Sequence, residues 1–150
     1  MTRPIKVLIK RAPGSSDLPL PVRMTEHAAG FDLPAAVTAS LTLEPGEIRL
    51  VACGFSMAIP HGYEAQVRPR SGLASKYGIT MINAPGTIDS DYRGEVHVPL
   101  SNLGRKPFII ERGMRIAQML ILPEPTVEIV EVETLDGTTH GKCVVGHTRH

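Results

Sequence analysis

Apolar and polar stretches alternate at short intervals along this chain. Segments rich in β-branched residues run Ile5–Ile9, Ile48–Val51, Ala65–Val67, Thr80–Ile82, Val96–Leu100, Phe108–Ile110, Ile116–Leu122 and Val127–Val132. Turn signals separate them: Glu44-Pro-Gly-Glu47, Pro60-His-Gly62, Ala84-Pro-Gly86, Tyr92-Arg-Gly94, Asn102-Leu-Gly-Arg-Lys-Pro107 and Glu111-Arg-Gly113. Many short strands at this spacing predict an all-β sandwich or barrel. Val127-Glu-Ile-Val-Glu-Val-Glu133 alternates in part and is expected to be a half-exposed strand. One segment departs from the pattern. Gly72-Leu-Ala-Ser-Lys-Tyr-Gly78 holds helix formers between two glycines, which predicts a short helix capped by Gly78. After Leu135 the periodicity is lost, so the expected organisation is one β domain over residues 1–135 and a flexible arm over 136–150.

The candidate chemistry gathers in the turns. Asn83-Ala-Pro-Gly-Thr-Ile-Asp-Ser-Asp-Tyr-Arg-Gly94 is expected to be a β-hairpin with Asp89 and Asp91 at its crest. A carboxylate there reaches a ligand without the desolvation cost of a core position, and can act as a general base toward a water. Taken alone, the same acids read more readily as a solvated turn. Arg68-Pro-Arg-Ser-Gly72 offers guanidinium forks, a hydroxyl and an open backbone to phosphate oxygens, at the start of the expected helix. It is not a Walker A loop, which needs a longer glycine-rich cradle. Gln118 interrupts the apolar run Ile116–Leu122, and Asp32 interrupts Ala28-Ala-Gly-Phe-Asp-Leu33; each either bonds a neighbouring strand or reaches a ligand.

Composition narrows the classes. A chain of 150 residues fits one domain with a real core. Sixteen basic against fifteen acidic residues leave a formal charge of +1, and there are only three Phe, three Tyr and no Trp. No broad nucleic-acid face is expected, although a local basic pocket is compatible. Cys53 lies in an apolar segment and reads as a core residue, and two cysteines make no disulfide framework. No membrane-spanning run or leader is expected, and the protein is read as cytoplasmic. His140, Cys143, His147 and His150 are zinc-compatible, but their spacing matches no established site.

In order along the chain, Ala29-Gly-Phe-Asp-Leu33, Pro69-Arg-Ser-Gly-Leu73, Asn83 through Gly94, and Arg112-Gly-Met-Arg-Ile-Ala-Gln118 resemble four motifs of the trimeric all-β dUTPase family. The resemblance runs from about Ile5 to Val132. It implies a jelly-roll-like barrel, a homotrimer with active sites built from several subunits, and Mg²⁺-dependent hydrolysis of dUTP to dUMP and pyrophosphate. That reaction lowers dUTP and supplies dUMP for dTMP synthesis. It also implies roles by residue. Asp89 orients and deprotonates the water that attacks the α-phosphorus. Asp32 helps hold the metal through water. Arg70, Ser71, Gly72 and Gln118 hold the phosphate chain. Uracil is read by Asn83, by main-chain groups of Thr87, Ile88 and Asp89, and near His97, and Tyr92 packs under the sugar. Asp91 receives no chemistry.

The family ends in a glycine-rich lid of the form Arg-Gly-x-Gly-Gly-Phe-Gly-Ser/His-Thr-Gly. The best alignment here is His140-Gly-Lys-Cys-Val-Val-Gly-His-Thr-Arg149. Gly141, Gly146 and Thr148 fit, whereas His140 replaces the arginine and Val145 replaces the phenylalanine. A weakened lid is expected. A nucleotide-binding protein of the same fold with little turnover, and a relative of dCTP deaminase, stand as alternatives.

Overall fold

The computed structural model describes residues 3–138 and Gly141. Of the expected lid residues, His140, Val145, Gly146 and Thr148 lie outside the described residues, as do Cys143, His147 and His150. Ten strands and one helix are described: β1 (Leu8–Arg11), β2 (Phe31–Pro34), β3 (Leu41–Leu43), β4 (Ile48–Ala58), β5 (Tyr63–Arg68), α1 (Ser71–Tyr77), β6 (Ile79–Met81), β7 (Gly86–Ile88), β8 (Glu95–Asn102), β9 (Phe108–Ile110) and β10 (Arg115–Pro123). One sheet runs β1-β4-β8-β6, a second runs β2-β10-β5-β7, and β3 pairs with β9. All pairings are antiparallel. This is the all-β architecture that the spacing of turns predicts, in the jelly-roll-like form that the resemblance implies. Among the described residues no helix is long and apolar enough to cross a membrane.

The core lies between the two four-stranded sheets. Val51, Cys53, Phe55, Val98 and Leu100 from one meet Leu33, Ala65, Val67, Ala117 and Met119 from the other. Burial of this apolar surface is the main stabilising term, at roughly 25 cal/mol per Å². Cys53 is fully buried, and burial above all, then the charge of Glu95, pushes its thiol up to about 12. It is an inert core residue, as its apolar context predicts.

Two irregularities in the ladders decide which side chains face the clefts. Between Ala52 and Ser56, β4 gains two residues relative to β8. An even insertion preserves the period-two alternation, so Val51, Cys53, Phe55 and Met57 all point inward. Gly54 sits within this bulge at φ +81, where a Cβ would stand 2.8 Å from Ser15 Oγ. In β10 the register against β2 slips by one residue between Arg115 and Ala117. An odd insertion changes the face: Ile116 and Ala117 are both buried, and Arg115 and Gln118 emerge on the same side.

Three expectations are corrected. Val127–Val132 forms no strand and is exposed, with Ile129 94% accessible, because beyond Pro123 the chain runs past the end of β5 and meets no partner strand among the described residues. The segment from Asn83 to Gly94 is not a β-hairpin. β7 pairs with β5 in one sheet and β8 with β4 and β6 in the other, so residues 89–94 cross between sheets. The first strand occupies Leu8–Arg11 rather than Ile5–Ile9, since its partners in β4 begin at Phe55. The helix is as expected: α1 ends at Gly78, φ 71, whose N–H bonds the carbonyls of Ala74 and Leu73.

Candidate active site

A cleft of about 370 Å³ collects residues from three of the four motifs. It is lined by Gly30 and Asp32 from the first, Arg70, Ser71 and Gly72 from the second, and Arg115 and Gln118 from the fourth. The sheet order explains the convergence. β10 lies between β2 and β5, so Gln118 stands opposite Asp32 on one side and Arg68 on the other. The chain leaves β5 at Arg68 and turns directly into α1, which brings Arg70 and Ser71 over the end of β10.

The polar groups of this cleft hold one another in place. Gln118 donates from Nε2 to the Pro69 carbonyl at 3.0 Å, tying the interrupting amide to the arginine-serine loop. Arg70 donates from Nη1 to the Arg115 carbonyl at 3.0 Å. Its Nε lies 3.7 Å from Asp32 Oδ1, while Arg115 Nη1 donates to Asp32 Oδ2 at 3.0 Å. One carboxylate therefore faces two guanidiniums, which leaves a net positive cleft. No side chain caps the start of α1 at Arg70. Positive charge, an uncapped helix start and a hydroxyl suit a phosphate chain.

A second cleft of about 200 Å³ is lined by Thr87, Ile88, Asp89, Tyr92, Val96 and His97. The turn that builds it closes with the Tyr92 N–H on the Asp89 carbonyl at 3.1 Å. Tyr92 then folds back over Gly94, where a Cβ would stand 2.5 Å from the hydroxyl, and donates to the Glu95 carbonyl at 3.0 Å. The Asp89 carboxylate is exposed at the edge of this cleft. Asn83 does not line it but is exposed on the turn between β6 and β7, with Nδ2 3.3 Å from where a Cβ would stand on Gly86, the neighbour of Thr87. The two clefts share no lining residue. Gly141, from the expected lid, sits in a turn with its N–H on the Thr138 carbonyl at 3.1 Å.

Among the described residues no group of three or more His, Cys, Asp or Glu is placed to hold a metal ion. The first cleft has one carboxylate, Asp32. That donor set fits only an ion that keeps most of its waters and takes its remaining ligands from a bound phosphate, which is the coordination Mg²⁺ favours.

Sequence reasoning placed Arg112 and Arg115 in the fourth motif but gave neither a role. Arg115 enters the cleft through the one-residue bulge, which no pattern of side chains signals. Arg112 is structural. It grips Asp17 with Nε and Nη2 at 2.8 and 2.7 Å, and also donates to the carbonyls of Gly14 and Val37. This bidentate pair holds the Asp17 carboxyl down at about 2.

A family model for dUTPase matches residues 16–149. The chain is 53% identical over 150 residues to the deoxyuridine 5'-triphosphate nucleotidohydrolase of Methylocella silvestris, covering 99% of this chain and 94% of that protein. It is 51% identical over 144 residues to the enzyme of the same name from Caldanaerobacter subterraneus, covering 96% and 97%. Among solved structures it resembles a Staphylococcus bacteriophage 80alpha dUTPase with dUPNHPP, at a TM-score of 0.85 and 24% identity over 97% of this chain and 99% of that one. A dUTPase variant from phage phi11 of S. aureus, described with a structural Mg(II) ion, matches at 0.76 and 22% identity, covering 86% and 97%.

Proposed function

Because this chain belongs to the dUTPase family, we propose that it hydrolyses dUTP to dUMP and pyrophosphate, with Mg²⁺ bound to the triphosphate. The reading is carried by one observation: residues of three motifs, distant in sequence, line a single cationic cleft with one carboxylate.

In this reading Arg70, Arg115, Ser71, Gly72 and Gln118 bind the phosphate chain, and Asp32 holds the hydrated metal beside it. Bound there, Mg²⁺ supplies charge neutralisation to the phosphate oxygens. Asp89 accepts a proton from the water whose oxygen bonds to the α-phosphorus. The bond from that phosphorus to the bridging oxygen breaks, and the electrons leave with pyrophosphate. Phosphoryl chemistry of this kind depends chiefly on positioning and charge stabilisation, which fixed donors provide. The main chain of Thr87, Ile88 and Asp89 reads uracil with Asn83 and the wall at His97, and Tyr92 packs against the deoxyribose. The product dUMP serves dTMP synthesis.

The reading includes a homotrimer. The clefts share no lining residue, so a site assembled from two copies of the chain unites the phosphate cleft of one with the Asp89 cleft of another. The residues 136–150 act as the closing arm, weakened by His140 and Val145 where the family has Arg and Phe.

Incubation with Mg²⁺ and dUTP, dCTP, dTTP or UTP, followed for pyrophosphate and ammonia, tests the proposal. Pyrophosphate from dUTP alone is expected. Ammonia from dCTP, or tight dUTP binding without turnover, would overturn it.

A further inference from the structure

Glu95 lines neither cleft, yet two polar groups of the Asp89 cleft and one from the β4 bulge converge on it. Its main-chain carbonyl accepts from the Tyr92 hydroxyl at 3.0 Å, and His97 Nδ1 stands 2.9 Å from the same oxygen. Tyr92 and His97 are two of the residues lining that cleft, so a single oxygen anchors both side chains. The Glu95 carboxylate turns the other way. Its Oε1 accepts from the Gly54 N–H at 3.2 Å, within the two-residue bulge of β4.

The bulge makes this contact necessary. Between Ala52 and Ser56 the β4–β8 ladder is interrupted, so Gly54 has no main-chain acceptor on β8. The far side of Gly54 is already engaged, because its carbonyl accepts from Ala12 N–H at 2.9 Å and a Cβ there would meet Ser15 and Leu18 at 2.8 and 3.0 Å. Gly54 is therefore a fixed point, and the carboxylate adds a side-chain tie to it at the first residue of β8, where the ladder resumes with Ser56 opposite Glu95. A charge-assisted bond to a main-chain N–H is stronger than a neutral one.

We propose that Glu95 is a positioning residue that sets the depth of the sugar pocket by fixing Tyr92 and His97 to the β4 bulge. The inference rests on the proposed dUTPase reading, in which Tyr92 packs against the deoxyribose. Glu95 touches no substrate in it. Its effect is on which sugar fits and how tightly, not on the chemical step.

The test is steady-state kinetics of E95A and E95Q with dUTP and UTP. E95A keeps the carbonyl but loses the carboxylate tie to the bulge, so KM for dUTP rises about tenfold, the preference for dUTP over UTP falls about tenfold, and kcat stays within about twofold. E95Q keeps an acceptor oxygen at the same reach and restores KM and selectivity to within about twofold of wild type. Wild-type KM and selectivity in a folded E95A would overturn the proposal, as would an E95Q no better than E95A, or a fall in kcat alone. Should E95A fail to fold, E95D withdraws the carboxylate by one methylene. Reduced selectivity there supports the anchor, and unchanged selectivity overturns it. If wild-type protein does not turn over dUTP, the enzymatic reading fails by itself. The anchor is then judged from Tyr92 ring resonances in ¹³C-tyrosine-labelled protein: a shift in E95A upholds it, and coincident spectra sink it.

Discussion

Gln118 Oε1 lies 2.7 Å from the point where a Cβ on Gly30 would stand. The glycine leaves the amide room to stand there while its Nε2 holds the Pro69 carbonyl. Gly30→Ala is expected to push the amide aside and break that bond. The expected outcome is a rise in KM for dUTP of about tenfold, with stability lowered by about 1 kcal/mol, the net worth of one hydrogen bond. Kinetics and denaturant unfolding check the two parts. An unchanged KM would show that the amide does not hold substrate.

Asp89→Asn removes the proposed base and leaves the shape of the turn, which is closed by main-chain atoms. A fall in kcat of roughly 10²–10⁴-fold is expected, with dUTP affinity by calorimetry nearly retained. A variant that turns over at the wild-type rate would place the base elsewhere.

The Asp17–Arg112 pair carries a pH signature. Arg112 holds the Asp17 carboxyl from its ordinary 3.8 down to about 2. A folded-state value below the unfolded one means that the pair stabilises the protein above pH 3.8 and loses that contribution as pH falls toward 2. Glu47 is also lowered, by the Glu44 main-chain N–H and then by Arg49, so acid weakens the fold at two places. The difference in Tm between wild type and Asp17→Asn is expected to be largest above about pH 4 and to shrink toward about pH 2. A difference independent of pH would show that the charge is not what matters.

Replacing residues 140–146 with Arg-Gly-x-Gly-Gly-Phe-Gly is expected to raise kcat, since an arginine on the transferred phosphates is worth about 10³-fold or more in other phosphoryl-transfer enzymes. Unchanged kinetics in this chimera would remove the idea that the native arm is a weak lid.

Much of the fold is legible because its signals are local. Gly78 marks the end of α1 through the left-handed turn that only glycine adopts cheaply, and the β-branched runs mark β5, β6, β8, β9 and β10. What escapes is set by partners far along the chain. β4 continues past the expected end at Val51 to Ala58, because the bulge accommodates Gly54 within the strand. β2, β3 and β7 are only three or four residues long and exist through the strands they pair with. Of the site, the cationic loop, Asp32 and Gln118 are legible as unusual residues in ordinary segments. Arg115 is not, because only a slip in register turns it toward them.

The separation of the two clefts, with no lining residue in common, has a consequence for heredity. In the proposed trimer, a chain damaged at Arg70 keeps a sound Asp89 cleft, and a chain damaged at Asp89 keeps a sound phosphate cleft. Two defective copies of the gene in one cell would then rescue one another in mixed assemblies, and Arg70→Ala with Asp89→Asn chains refolded together would recover activity that neither has alone. No recovery would mean that each chain catalyses by itself. Loss of function would follow the pairing of alleles rather than the severity of either lesion.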